Sequence, residues 1–313
     1  MTPPTHEMGK WTDEPSLCPA VEVGRVAYNR RLAEGLFEIG IAAPGIAHAV
    51  MPGQFVHVRL PGMEGHILRR PFSVFAVDQG MALSLVYQVR GCGSGHMSSI
   101  APGTELGLLG PLGRGWRCPP ETRRALLVGG GVGAAPLFLL ASALTQQGVL
   151  LDVILGAQSA GAQVCLARFE RLAALSATTR IALATDDGSL GRAGLVTPLV
   201  EEALQGGLFE GARLQGVSPG GIHPGMAHRE GGQPQEAGKG PTPYGYIAAC
   251  GPEPMMRAVA TLAAQTDALC EVSLERHMAC GIGACLSCVV ETAQGLRRSC
   301  VDGPAFNARE VLS

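Results

Sequence analysis

An antiparallel β-barrel, then a doubly wound parallel α/β sheet, then a small cysteine-rich module is the architecture the sequence predicts. Three observations predict it. From about Val21 to Gly110, short alternating runs such as Gln54–Leu60 and Ala82–Val89 are separated by Pro and Gly, the mark of half-buried antiparallel strands. From about Arg123 to Leu269, apolar strands alternate with helical stretches: Ala125–Val128 with a helix after Gly133, Leu150–Leu155 with a helix containing Phe169 and Leu172, and Tyr244–Ala249 with a helix after Pro252. That alternation is the pattern of a parallel sheet. The end of the chain then gathers Cys280, Cys285, Cys288 and Cys300. The expected boundaries are 19–117 for the barrel domain, 118–270 for the α/β domain and 271–313 for the last module, with a Gly/Pro-rich surface insertion over 216–243.

A chain of 313 residues has room for two or three modest domains, and 46% hydrophobic with 16% charged residues describes an ordinary globular protein. The net charge of −2 comes with no basic stripe for nucleic acid and no acidic run. The first residues lack the basic start and apolar core of a signal peptide, and no run of about 18 apolar residues exists, so a cytoplasmic location is expected. Of ten cysteines, six (Cys18, Cys92, Cys118, Cys165, Cys250 and Cys270) are scattered without paired spacing and read as buried or free thiols.

The other four carry chemistry. Their spacing, C-x4-C-x2-C and a fourth Cys after eleven further residues, is the plant-type ligand pattern of a two-iron, two-sulfur cluster. A loop wrapping such a cluster crowds its thiolates and turns backbone N–H groups toward sulfur, which Gly281 and Gly283 relieve. Structural zinc is the other reading of these residues, although zinc usually takes two C-x2-C pairs and one is present. Disulfides would need an exported protein. His277 does not make a Rieske centre, which needs two His on one iron.

A second motif, Gly129-Gly-Gly-Val-Gly-Ala-Ala-Pro136, follows an apolar strand and opens a helix. Gly129, Gly130, Gly131 and Gly133 would let backbone approach a pyrophosphate, with the first helical N–H groups after Ala134 and Pro136 supplying positive potential. The second strand ends in Gly156-Ala-Gln-Ser159, with neither a carboxylate for an adenosine ribose nor a basic residue for a 2′-phosphate, which leans toward NAD over NADP. Asp186 and Asp187 read equally as dinucleotide contacts or as a turn.

Nicotinamide exchanges two electrons as a hydride, whereas an iron–sulfur cluster passes single electrons, so a chain that holds both needs a flavin as adaptor. Arg69-Arg-Pro-Phe-Ser73 is the candidate flavin segment: an Arg to pair with phosphate, Phe72 to lie against a ring, and the Ser73 hydroxyl to donate to a ring nitrogen. Tyr87 and the loop Gly91-Cys-Gly-Ser94 form a second candidate face. His96 nearby reads as a satisfied or solvated histidine, since hydride exchange between flavin and NAD needs no protein acid there.

Together these motifs resemble the ferredoxin–NADP reductase superfamily: Arg-Pro-x-Ser on a barrel, the glycine turn, then Cys250-Gly-Pro-Glu-Pro-Met-Met256. The ending Ser273–Cys288, with Cys300-Val-Asp-Gly-Pro-Ala-Phe306, resembles the electron transfer subunits of type B dihydroorotate dehydrogenases. The resemblance spans roughly Val21 to Val311 apart from the insertion. It implies FAD on the barrel at Arg70, Pro71, Phe72, Ser73, Tyr87, Gly93 and Ser94, the nicotinamide dinucleotide on the Gly129–Pro136 turn, and Cys250 beside the nicotinamide as a catalytic-site residue. It also implies an FMN-containing catalytic subunit that oxidises dihydroorotate, in a heterotetramer of two of each chain. Electrons would pass through the cluster and FAD to NAD, and the surface near Gly281 to Leu286 would meet the partner. Phe72 stands where many reductases have Tyr, which keeps a ring face for stacking. Two other functions fit the same modules: a flavin and iron–sulfur subunit of an NADH-dependent ferredoxin:NADP oxidoreductase or sulfide dehydrogenase, and a redox sensor without enzymatic turnover.

Overall fold

The computed structural model describes residues 19–78, 81–209 and 243–312. The N-terminal extension before Pro19 and the 216–243 insertion, Pro243 excepted, lie outside the described residues.

The first unit contains β1 (Ala20–Ala33), β2 (Leu36–Ala42), α1 (Pro44–Ala49), β3 (Phe55–Arg59), β4 (Arg70–Asp78), β5 (Ala82–Gln88), α2 (Cys92–Ser98) and β6 (Glu105–Leu112). Its strands close into an antiparallel barrel in the order β1-β2-β5-β4-β3-β6. Alternation along each strand fills the interior, as Ile39 and Ile41, Val56 and Val58, and Leu106 and Leu108 are all buried in one core. Closure removes the free sheet edges, and β4 lies between β3 and β5.

The second unit contains β7 (Arg124–Gly130), a 3-10 turn (Gly131–Ala134), α3 (Ala135–Gln146), β8 (Leu150–Ala157), α4 (Leu166–Ala174), β9 (Thr179–Thr185), β10 (Arg192–Ala193), α5 (Thr197–Leu204), β11 (Tyr246–Cys250), α6 (Glu253–Ala263) and β12 (Leu269–Ser273). A seven-stranded sheet runs β10-β9-β8-β7-β11-β12-β15, where β15 (Ala305–Asn307) comes from the C-terminal module and pairs antiparallel with β12. Every residue of β7 is buried, as expected of a central parallel strand covered on both faces. Strand order reverses between β7 and β11, which makes the carboxyl ends of these two strands the switch point where open α/β sheets bind ligands.

The C-terminal module adds the hairpin β13 (Val289–Thr292) and β14 (Gly295–Arg298), β15, and α7 (Ala308–Val311). It is anchored to both other units. Leu274 N–H donates to Pro304 O at 2.9 Å, and Arg114 N–H at the barrel exit donates to Gly303 O.

Barrel and sheet share a continuous core. Phe75 of β4 meets Phe138 of α3 at 4.7 Å between ring centroids, Phe138 meets Phe169 of α4 at 5.2 Å, and the Trp116 indole donates to Pro136 O at 3.3 Å. A charged contact joins the units as well. Glu38 of β2, buried in the barrel wall, accepts from Tyr28 Oη at 2.8 Å, from Arg30 Nη2 at 2.6 Å and from Arg168 Nη2 of α4 at 3.3 Å. Burial pushes its carboxyl up, but the Arg30 and Tyr28 hydrogen bonds and the two arginine charges outweigh burial and hold it below its usual range.

Candidate functional site

The four predicted ligand cysteines come together on a loop that follows β12 and on the turn after β14. Gly281, Gly283 and Leu286 adopt positive φ (74°, 81° and 60°), which coils Cys280 to Cys288 tightly. A Cβ at Gly281 would stand 2.9 Å from His57 Cε1, and one at Gly283 would stand 2.8 Å from Val301 Cγ2, so these positions leave no room for a side chain. Two backbone amides point at sulfur: Cys285 N–H donates to Cys280 Sγ at 3.4 Å, and Cys300 N–H donates to Cys288 Sγ at 3.4 Å. Backbone N–H groups turned toward sulfur are what a loop around a cluster needs, and four cysteines supply two protein ligands for each of two irons. The donor set and its glycine-lined loop therefore fit the cluster.

The pairs differ in environment. Cys288 and Cys300 are 2% and 1% exposed and pack with Phe55 and Leu112 of the barrel, whereas Cys285 is exposed. Burial pushes the Cys300 thiol up to about 12, while hydrogen bonds from Ser287, with help from Cys280, bring Cys285 down to about 6.

The flavin residues predicted on the barrel occupy β4, the end of β5 and the start of α2. Arg70, Pro71, Phe72 and Ser73 are half-buried at the entry of β4, with Ser73 in register with Phe55. Phe72 meets Tyr87 edge-on at 5.7 Å, and Tyr87, itself buried, donates to Asn29 Oδ1 at 3.1 Å. Gly93 makes space for Arg70, since a Cβ there would come within 2.6 Å of Arg70 Nε. The two segments expected around a flavin thus touch, and the residues present fit one. Ser94 differs from its expected part in one respect: its hydroxyl accepts from Arg90 and Gly91 N–H at 2.8 and 3.2 Å and shapes the loop.

Beside β4 opens a cleft of about 440 Å³ lined by Gly65–Pro71 on one side and by Arg276, His277 and Met278 on the other. Sequence reasoning assigned no role in such a cleft to the latter three. They lie just ahead of Cys280, and their signal was proximity to the first ligand alone.

The dinucleotide elements meet at the switch point, where Cys250 of β11 stands in register with Gly129 of β7. The turn after β7 is packed hard against the β11 exit. A Cβ at Gly133 would meet Cys250 O at 2.4 Å, and one at Gly130 would meet Met255 Sδ at 2.7 Å, while Gly131 has φ of 55° and open space around it. Such a turn bares backbone to a phosphate, which fits the expected cofactor. Ala134 and Pro136 are buried where the turn leads into α3. Cys250 is 1% exposed, and burial pushes its thiol up to about 12, so it stands neutral below the surface. Asp187 accepts from Ser189 N–H at 2.9 Å and from Ser189 Oγ–H at 2.6 Å, the turn role. His96 Nε2 lies 2.8 Å from Pro61 O.

Comparison with known proteins places this arrangement. Residues 275–312 match the model of the iron–sulfur cluster binding domain of dihydroorotate dehydrogenase B. The chain is 35% identical over 297 residues to the dihydroorotate dehydrogenase B (NAD(+)) electron transfer subunit of Geobacillus kaustophilus, covering 92% of this chain and 96% of that one. The chain belongs to this family. The Desulforamulus reducens subunit of the same name is 33% identical over 286 residues, covering 90% and 94% of the two chains. Among solved structures, one described for the NADH-dependent reduced ferredoxin–NADP oxidoreductase and flavin-based electron bifurcation superposes with a TM-score of 0.71 at 26% identity, covering 92% of this chain and 89% of that one. The ferredoxin reductase of carbazole 1,9a-dioxygenase, at TM-score 0.58, 19% identity and coverage of 81% and 68%, shares the fold. Family membership and the reductase-like fold agree with the barrel, sheet and cysteine module seen here. Among the described residues no helix is long and apolar enough to cross a membrane.

Proposed function

We propose that this chain is the electron transfer half of a cytoplasmic, NAD-linked dihydroorotate dehydrogenase complex. Its partner would be an FMN-containing catalytic subunit, in a heterotetramer of two of each chain. One juxtaposition carries the reading: a single cleft has the flavin-type Arg69–Pro71 segment on one wall and Arg276–Met278, leading straight into the cluster loop, on the other. When bound, the cluster would supply one-electron transfer, and the flavin would exchange single electrons for the hydride of nicotinamide.

The chain's own residues bind and orient. Cys280, Cys285, Cys288 and Cys300 hold iron. Arg70, given room by Gly93, would meet the flavin phosphate, Phe72 would present a ring face with the buried Tyr87 ring backing it, Pro71 and Ser73 would set the edge of the ring site, and Ser94 fixes the loop. Gly129, Gly130, Gly131, Gly133, Ala134 and Pro136 shape the dinucleotide turn, and Cys250 supports it from beneath as an uncharged thiol. Exposed Ile282 and Leu286 on the cluster loop, 56% and 60% accessible, give the partner an apolar surface beside the irons.

The test is reconstitution. Purified with the catalytic subunit, the chain should confer dihydroorotate-dependent reduction of NAD, and C300S should abolish it. The similarity at TM-score 0.71 favours one rival, a ferredoxin:NADP-type partnership. Co-purification with that kind of partner, and no response to dihydroorotate, would replace the present proposal.

A further inference from the structure

Side chains on β3 alternate between two environments. Val56 and Val58 enter the barrel core, while Phe55 and His57 face the cysteine module. His57 is fully buried, at 0% exposure, yet neither ring nitrogen has a hydrogen-bond partner among the described residues. Such a group is rare, because a buried imidazole always carries at least one N–H that has lost its water.

Among the described residues its neighbours offer no acceptor for that proton. Across the strands it pairs with Pro71 of β4 and Leu109 of β6. The Phe55 ring lies 5.6 Å away. Arg69, the nearby charge, brings only donors, and its Nη1 is given to Gly107 O at 2.6 Å. On the remaining side the ring abuts the cluster loop, where a Cβ at Gly281 would lie 2.9 Å from Cε1 and 3.0 Å from Nδ1. Gly281 adjoins Cys280, and sulfur is the acceptor this loop is built to present.

We propose that His57 donates a hydrogen bond to a sulfur of the iron–sulfur cluster on the Cys280 side and thereby raises its reduction potential. A donor to sulfur stabilises the more negative, reduced cluster, one of the known controls on these potentials. The position explains why a polar residue occupies an otherwise apolar contact between barrel and cluster module, and why Gly281 cannot carry a side chain.

The inference rests on the cluster reading, so iron and visible bands are measured first; a chain without about two irons overturns that reading. On the loaded chain, EPR-monitored redox titration at fixed pH compares wild type with His57→Leu and His57→Asn. H57L should keep its iron and lower the reduction equilibrium at least tenfold, a shift of about 59 mV to more negative potential for one electron. H57N, which retains an N–H donor, should recover part of the shift. A loaded H57L with an unchanged potential overturns the inference and leaves the cluster reading standing. Should H57L fail to hold iron, pulsed EPR of the wild-type chain with 15N-labelled histidine decides: an imidazole coupling to the reduced cluster that survives H277Q supports the contact, and its absence overturns it.

Discussion

Two glycine-rich turns in this molecule do opposite things with their side chains. In the Cys280–Cys288 loop the positive-φ glycines coil the chain around neighbouring thiols, and on the proposed reading the chemistry lies in the sulfur atoms. In the Gly129–Pro136 turn, on the proposed reading, the chemistry lies in the backbone and depends on the absence of side chains. The first site should therefore fail when an atom is removed. The second should fail when one is added.

The largest effect that would sharpen this contrast is expected at the buried cysteine pair. Cys288→Ser or Cys300→Ser should lose nearly all iron and the visible spectrum, because both thiols are enclosed against Phe55 and Leu112. Cys285→Ser, at the exposed edge, should retain more iron than either. Equal losses at all positions, read by iron per chain, would erase the distinction between pairs.

Next comes the addition of a single methyl group to the other turn. In Gly133→Ala the new Cβ meets the Cys250 carbonyl, which is backbone and cannot swing aside. The variant should lose about 1–3 kcal/mol of stability from overpacking. It should also bind NADH at least tenfold more weakly while keeping full iron, as calorimetry and iron assay would report. Weakened iron binding with intact NADH affinity would break the assignment of separate roles.

A smaller effect is expected in β12, the strand that joins the two regions. Glu271 accepts from Arg117 N–H at 2.7 Å and Tyr246 Oη–H at 2.5 Å, and burial pushes its carboxyl up to about 7. The folded chain then binds this proton more tightly than the unfolded chain, whose carboxyl titrates near 4.5. Stability should fall as pH rises from about 4.5 to about 7 and level off above, and Glu271→Gln should remove that dependence. Urea midpoints at pH 5 and pH 8 measure it. The smallest effect is expected at Gly131→Ala, where space is open but φ is positive: a stability cost of about 1 kcal/mol, with NADH affinity lowered less than in Gly133→Ala.

The fold was legible because its signals are periodic. Alternation in Gln54–Leu60 placed β3, and apolar runs before Gly129 and Gly156 placed β7 and β8. The four candidate ligands could be picked out because spacing along the chain is itself the constraint on a loop around a cluster. Contacts between units were not legible. Nothing local in Glu38 or Arg168 announces that they meet 130 residues apart, and alternation alone would send His57 outward, since only the C-terminal module covers that face of β3. Arg276–Met278 gained their place in the cleft in the same way, from packing that joins distant segments.

The most direct test of the account is an anaerobic spectrum of the purified chain before and after NADH, with flavin and iron quantified. One flavin and about two irons per chain, with both chromophores bleached by NADH, is the expected result. Flavin and iron present but unmoved by NADH would contradict the dinucleotide site, and a chain with neither would return the four cysteines to zinc.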